Sequence, residues 1–175
     1  MKSNHIFSKW VAALLFIATL IINYLVSTLH INGTTTGEVS NDFPNLFTPI
    51  ALTFAIWGLI YLSLGLYTIR QFGVWGGKKS KATDKVIAKI TPLYIATSLV
   101  NAAWIFAWQY KVIWLSLLLI ATLLILLIWI NMVLDTEKLE GKDYWLIKFP
   151  FSIYFGWLTV ATIANAVVWL VSIGW

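Results

Sequence analysis

Read as a pattern of apolar and polar positions, the 175-residue chain divides into five long apolar stretches joined by polar connections, at roughly 10–29, 49–69, 91–110, 112–134 and 149–173. An α-helix rises about 1.5 Å per residue, so roughly 20 apolar residues cross a hydrocarbon core of about 30 Å. Each stretch is long enough. The pattern predicts an all-α membrane protein, a five-helix transmembrane bundle forming a single domain over residues 1–175. Pro49, Pro92 and Pro150 fall in the first turn of three predicted spans, where a missing N–H costs little and the fixed φ helps start a helix. No internal repeat is visible, and an odd number of spans fits poorly with inverted-repeat transporters.

Composition agrees. The chain is 60% hydrophobic and 11% charged, with a mean hydropathy of +0.83, more apolar side chain than one soluble core of this length can bury. The absence of Cys removes disulfides, thiolate catalysis and Cys-based metal sites. Eleven of the twelve Lys and Arg residues lie before the first span, between the second and third, or between the fourth and fifth; Lys111 alone lies on the other side. The positive-inside rule then expects an integral protein of a bacterial cell (inner) membrane, N-terminus in the cytoplasm and C-terminus outside. The net charge of +5 reads as a basic fringe, Arg70 included, facing the anionic lipid bilayer. No aromatic-interleaved basic patch accompanies it, which argues against a nucleic-acid partner. The first span reads as an anchor and not a cleaved leader, because its apolar core is long and no A-x-A-like site follows. The connection 30–48, rich in Gly, Thr and Asn, reads as a flexible lid or cap.

Inside the predicted spans there is no Asp, Glu, Lys, Arg or His. Proton relays, ion paths and a retinal Schiff base need such groups, so proton-driven transport loses its usual hardware. His5 and His30 lie outside the spans or at their rim, which leaves no pair of imidazoles for a buried haem iron. Neither a Gly-rich phosphate loop nor a Ser-His-Asp set with plausible geometry is present, so no catalytic residue and no metal ligand is assigned.

The spans do contain rings and amides at helical spacing. Phe54, Trp57 and Tyr61 share a face of the second span; Asn101, Trp104 and Trp108 repeat the spacing in the third; Tyr154, Trp157, Ala161 and Asn165 form a stripe in the fifth. Gly58 and Gly65 make a neighbouring strip open to close helix approach. Taken singly, each ring is most simply packing, and each amide an interhelical hydrogen bond worth roughly 0.6–2 kcal/mol. Taken together, three such faces in one small bundle would line a pocket for a flat, largely apolar ligand with a few polar edges. Trp10, Trp114, Trp145, Trp169 and Trp175 lie near span ends and read as interfacial anchors.

At these residues the chain resembles the translocator protein, or tryptophan-rich sensory protein, family (TspO/MBR, the peripheral benzodiazepine receptor relatives). The resemblance lies in "P-x4-F-x-I-W-x2-I-Y-x3-G" from Pro49 to Gly65, in "N-x2-W" at Asn101 and Trp104, and in "YFGWLTVATIANAVVW" from Tyr154 to Trp169. It covers roughly residues 45–170 and is most specific in its last part. Departures are a single Pro49 in "FPNLFTP" in place of a Trp-x-Pro-Pro run, a proline four residues before Tyr154 in place of one directly before it, and no cholesterol-recognition tail after Trp169. The resemblance implies a TspO-like bundle whose pocket, under the first loop, binds porphyrins, related tetrapyrroles or sterol-like molecules, with no cofactor required. It implies Trp57, Tyr61, Asn101, Trp104, Trp157 and Ala161 as pocket residues, and a homodimer. A membrane receptor or sensor is the reading that follows. A transporter or permease-like component of a larger complex is the alternative, and an enzyme, by photo-oxidative porphyrin breakdown or otherwise, the third.

Overall fold

The computed structural model describes residues 2–47, 53, 55–74 and 79–175, with side chains from residue 6 onward. Among these residues every regular element is helical: α1 (Lys2–Leu29), a 3₁₀ turn (Ile31–Gly33), α2 (Thr36–Asn41), α3 (Ile56–Gln71), α4 (Lys81–Gln109), α5 (Ile113–Leu134), a one-turn α6 (Gly141–Asp143), a π-helical turn (Tyr144–Lys148) and α7 (Phe149–Ser172). Four helical segments, Ile6–Leu29, Lys81–Gln109, Ile113–Leu134 and Gly141–Ser172, are long and apolar enough to cross a membrane. The second expected span is represented by the 16 residues of α3, about 24 Å of helix. The start of that span, with Pro49 and Phe54, lies outside the described residues.

Order in space departs from order along the chain: α4 packs on α1 and α5, α5 on α7, and α7 on α3, while α3 meets α1 sparsely. α5 is apolar almost all round, so its buried stripe, Ile120, Leu123, Leu127, Ile130 and Leu134, is set by its neighbours and not by its own amphipathicity. The outward faces, among them Leu14, Ile17, Leu118, Ile125 and Trp129, are bare apolar surface suited to lipid.

The third span begins earlier than its hydropathy suggests. Ser80 caps α4 by accepting from the Thr83 backbone N–H at 3.0 Å, and Asp84 sits in the first turn, so the helix starts ten residues before the expected position. Pro92 is therefore inside the helix and not at its first turn, a correction to the proline reading. Pro150 does sit at the start of α7. There the chain runs through the π turn, closed by a hydrogen bond from the Phe149 N–H to the Tyr144 carbonyl. At the opposite end, Lys111 takes a left-handed conformation (φ 56°). Its N–H donates to the Trp108 carbonyl, and that of Val112 donates to the Ala107 carbonyl, which turns α4 tightly into α5.

Two further expectations change. Gly58 has nothing within 4 Å of a Cβ built on it, and Gly65 faces only the Phe16 ring at 3.8 Å, so among the described residues no second backbone of this chain comes close to the glycine strip. Arg70 is not part of an exposed fringe. It is 1% exposed and donates to Asp143 Oδ1 through Nε (2.9 Å) and Nη2 (2.6 Å), while Thr83 Oγ1 donates to Asp143 Oδ2 at 2.6 Å. One carboxylate thus ties the end of α3, the start of α4 and the approach to α7. Beside it, Tyr67, Tyr94 and Phe151 pack edge-to-face with centroids 4.8–5.6 Å apart, and Thr68 bonds the Tyr94 hydroxyl at 3.0 Å.

Arg70 is buried and Asp143 18% exposed, so taking the carboxylate charge away from the guanidinium should cost on the order of 1–3 kcal/mol. Asp143→Asn should therefore lower the unfolding midpoint in detergent by an amount equivalent to that figure. Lys148→Gln breaks only a largely exposed contact with Asp135, 32% and 65% exposed, and should cost under about 1 kcal/mol. Equal midpoints for the two variants would remove the proposed role of Asp143.

Candidate functional site

The ring-bearing faces do converge, with Trp57 at their centre. Its ring lies 5.4 Å from Tyr61 and 6.0 Å from Trp104 at interplanar angles of 23° and 30°, near-parallel to both. From α7, Tyr154 (5.8 Å) and Trp157 (6.2 Å) meet the Trp57 ring edge-on. Trp104 in turn stacks on Trp108 at 6.0 Å and 21°. The rings are arranged in the geometries that favour quadrupole attraction. They pack chiefly against each other.

Space remains on both sides of this cluster, and the two sides differ. Toward α5 and α7 there is a void of about 40 Å³ bordered by Trp57, Trp104, Trp108, Trp157, Ala161 and Asn165. A cavity needs roughly 10–15 Å³ to hold one water, so this void has room for a few waters. On the other side, between α1, the 35–37 segment and the Trp57–Tyr61–Trp104 wall, lies a cavity of about 520 Å³. Its α1 side carries Leu20, Asn23, Tyr24 and Ser27, and its roof carries Thr35, Thr36 and Gly37.

The sequence-predicted residues therefore divide. Trp57, Tyr61 and Trp104 border the large cavity; Trp108, Trp157, Ala161 and Asn165 border only the small one. Asn101 donates to the Tyr61 hydroxyl at 3.4 Å, and Asn23 reaches the same hydroxyl from α1. Asn101 and Tyr154 line a crevice of about 10 Å³ behind Tyr61. Asn165 donates to Ser116 Oγ at 2.8 Å, joining α7 to α5 as an interhelical contact. Phe54 lies outside the described residues. Several buried polar atoms at the cluster have no hydrogen-bond partner among the described residues: Asn101 Oδ1, Trp104 Nε1, Tyr154 Oη and Asn165 Oδ1. A buried polar atom left unpaired costs about 1–3 kcal/mol, so these are places where water or a ligand's polar edge gains a bond.

Residues on α1 carry part of the site that the aromatic pattern does not reveal. Thr19, Asn23 and Ser27 recur every four residues along a largely apolar stretch of α1, the signal in the sequence that marks this face. Thr19 lies against α4, donating to Leu15 O at 2.9 Å and contacting Ser98 O at 3.3 Å, while Asn23 and Ser27 reach the cavity.

The described part of the connection expected to be a flexible lid or cap lies over the cavity, folded as α2 and bonded to the end of α4. Thr35 caps α2: its hydroxyl accepts from the Glu38 N–H at 3.3 Å, and its own N–H donates to the Glu38 carboxylate at 2.6 Å. Trp108 Nε1 donates to Thr36 O at 2.9 Å; Gln109 Nε2 donates to Ile31 O at 2.7 Å and to Thr34 O; and Asn32 returns a bond to Gln109 O at 3.0 Å. Val39 is wholly buried beneath it. The end of α4 thus holds the roof over the Trp57 wall.

A family model described as TSPO-like protein matches residues 9–175. The chain belongs to the TSPO-like protein family. No curated protein matches it, and no solved structure does. With its apolar helices, membership identifies this TSPO-like protein as an integral membrane protein of a receptor- or transport-related family. Among the anchors expected at the span ends, Trp10, Trp114, Trp145 and Trp175 are exposed, whereas Trp169 is half-buried against the core of the TSPO-like fold.

The roof of this TSPO-like protein should respond to acid. The Thr35 backbone N–H holds the Glu38 carboxyl below its ordinary range. A depressed carboxylate pKa contributes stability that is present above the ordinary range and lost as pH falls through the lowered value. The protection factors of the amides across 36–41, exchange rates taken relative to the intrinsic rate at each pH, should fall on acidification in the wild type, and be low and flat with pH in Glu38→Gln. Gln109→Leu should speed the same amides at every pH. A pH response unchanged in Glu38→Gln would reject the capping account.

Proposed function

We propose that this TSPO-like protein is a membrane receptor or sensor that holds a planar, largely apolar ligand, such as a porphyrin-type tetrapyrrole, between α1 and the Trp57–Tyr61–Trp104 wall. One observation carries the reading. The stacked wall faces a cavity of about 520 Å³, within the roughly 300–1,000 Å³ range of small-molecule sites, under an ordered roof. Near-parallel rings offer a flat surface for a flat ligand, and Asn23, Ser27 and Thr35 supply hydrogen bonds to its polar edge.

This placement differs from the one the family resemblance implied. Trp157 and Ala161 face a void too small for any ligand of that class, so in this reading they support Trp57 from behind. A further crossing by the segment containing α3 would complete a five-helix bundle. The basic ends of α3, α4 and the α5–α7 connection would then face the cytoplasm, with the roof outside. No covalent chemistry is required, since binding and orientation are the whole of the proposed activity.

Protoporphyrin IX titrated into the purified full chain should quench Trp fluorescence saturably. Each stacked ring is worth roughly 0.5–1.5 kcal/mol, so Trp57→Leu and Trp104→Leu should each weaken affinity by roughly twofold to tenfold. Ser27→Phe, which fills the cavity and leaves the wall intact, should weaken it as well, while Trp145→Leu should not. Unsaturable quenching, or affinity unchanged in both Trp57→Leu and Ser27→Phe, would overturn the reading. Net accumulation of the porphyrin inside proteoliposomes would favour a transporter instead.

A further inference from the structure

We propose that the ligand of the large cavity carries a long hydrocarbon tail, and that a groove between α1 and α3 receives it. The proposal rests on the planar-ligand reading above and narrows its ligand class to membrane-dissolved rings bearing an alkyl or isoprenoid chain. Next to the cavity lies a second space of about 330 Å³, bordered by Phe16 and Leu20 of α1 and by Tyr61, Gly65, Leu66 and Ile69 of α3. Leu20 and Tyr61 border the cavity as well, so the two spaces adjoin at that pair.

The seam between the two helices keeps one register through both spaces. Tyr24 and Trp57 line the cavity, and Leu20 and Tyr61 line the junction. Four residues further back on α1 and four further on along α3, the Phe16 ring lies 3.8 Å from where a Cβ on Gly65 would stand. That alignment of residues at i and i+4 is what two antiparallel helices produce when their facing sides run together. From Tyr61 to Ile69 the groove follows eight residues of α3, about 12 Å of helix. Gly65 contributes no side chain to fill it, and Leu62 and Ile69 at its rim are exposed on the lipid-facing surface.

The two spaces differ in chemistry, and the difference describes the guest. Asn23, Ser27 and Thr35 give the cavity hydrogen-bonding groups. In the groove the Tyr61 hydroxyl is the one such side-chain group, and it already accepts from Asn101 at 3.4 Å. A polar substituent placed there would lose its bonds to water and find none in return. Hydrocarbon loses nothing. A chain already dissolved in the bilayer also gains little by exchanging lipid for apolar protein, so the groove acts by admitting the chain while the ring is seated, and not by pulling it in. The adjoining cavity commits the groove to the tail of the cavity's own ligand, because a bilayer lipid lying there alone would leave the polar half of the seam unused.

Pheophorbide a and pheophytin a share one flat chlorin ring and differ by a phytyl chain, so titrating each into the full chain in lipid nanodiscs, read by Trp fluorescence, tests the proposal. The wild type should bind both saturably. Gly65→Leu fills the groove from a position where a Cβ meets only ordinary contact with Phe16. It should weaken pheophytin about tenfold more than pheophorbide, equivalent to roughly 1.4 kcal/mol of overpacking against the chain. Comparing each variant with the wild type for one chlorin at a time cancels that chlorin's partition into lipid. Ile69→Trp, which obstructs the groove from an exposed position, should act in the same direction, while Leu118→Trp on the lipid face of α5 should not change the ratio. Binding of pheophorbide with rejection of pheophytin overturns the tail site and leaves the planar-ligand reading standing; failure of both chlorins overturns that reading and the tail site with it. Equal effects on the two chlorins in both groove variants also overturn the tail site, and phytol alone bound as tightly as pheophytin would assign the groove to free membrane hydrocarbon.

Discussion

Helices in a bilayer gain little from hiding apolar surface from one another, because lipid tails are as apolar as leucine; what holds them is close packing and hydrogen bonds made across the interface. In this chain the Trp57 ring is where that constraint is met most densely. One side chain on α3 touches rings from its own helix, from α4 and from α7. The second aromatic knot, Tyr67, Tyr94 and Phe151, repeats the same three-helix junction nearer the basic end. Between them these knots fix α3, α4 and α7 as a unit, with α5 held to α4 and α7 by its all-round apolar surface and by the bond between Asn165 and Ser116.

The two ends of that unit are closed by different means. At the basic end, the Asp143 carboxylate collects Arg70 and Thr83, an ionic clasp shielded from water. At the other end, an uncharged amide does comparable work: Gln109 holds the 31–34 backbone through its side chain and receives Asn32 on its carbonyl. α1 belongs less tightly to either closure. It packs along α4 but touches α3 sparsely, and the large cavity opens where that contact is missing.

How much of this was readable beforehand depends on the range of the interaction. Helical spacing is local, so the sharing of a face by Asn101, Trp104 and Trp108, or by Tyr154, Trp157 and Asn165, follows from residues within two turns. Whether such faces meet each other or a void depends on interhelical distance and side-chain rotamers, and no local pattern contains those. Arg70 finds its partner 73 positions later, so its burial could not be foreseen from the basic residues around it. Pro92 shows two local rules in competition: proline favours a first turn, but the Ser80 cap and Asp84 nucleate the helix upstream, and an exposed proline inside a long packed helix is tolerated. The polar stripe of Thr19, Asn23 and Ser27 was present in the sequence all along. It was masked by the greater weight of eleven tryptophans.

The same ring contacts decide which side of Trp57 can receive a guest. To enter the small void, a flat molecule would have to pry the Trp57 ring from its four neighbours, at about 0.5–1.5 kcal/mol each and so roughly 2–6 kcal/mol in all. A micromolar ligand has only about 8 kcal/mol of binding free energy in total, and that is after the costs of immobilisation. Spending so much of it on rearrangement would leave binding weak. The outer faces of Trp57, Tyr61 and Trp104 ask for no such displacement, because the space in front of them already exists. Packing that fills the centre of the bundle therefore makes a wall: the contacts that bring Trp57 against α4 and α7 are the ones that hold three rings in place beside the larger cavity.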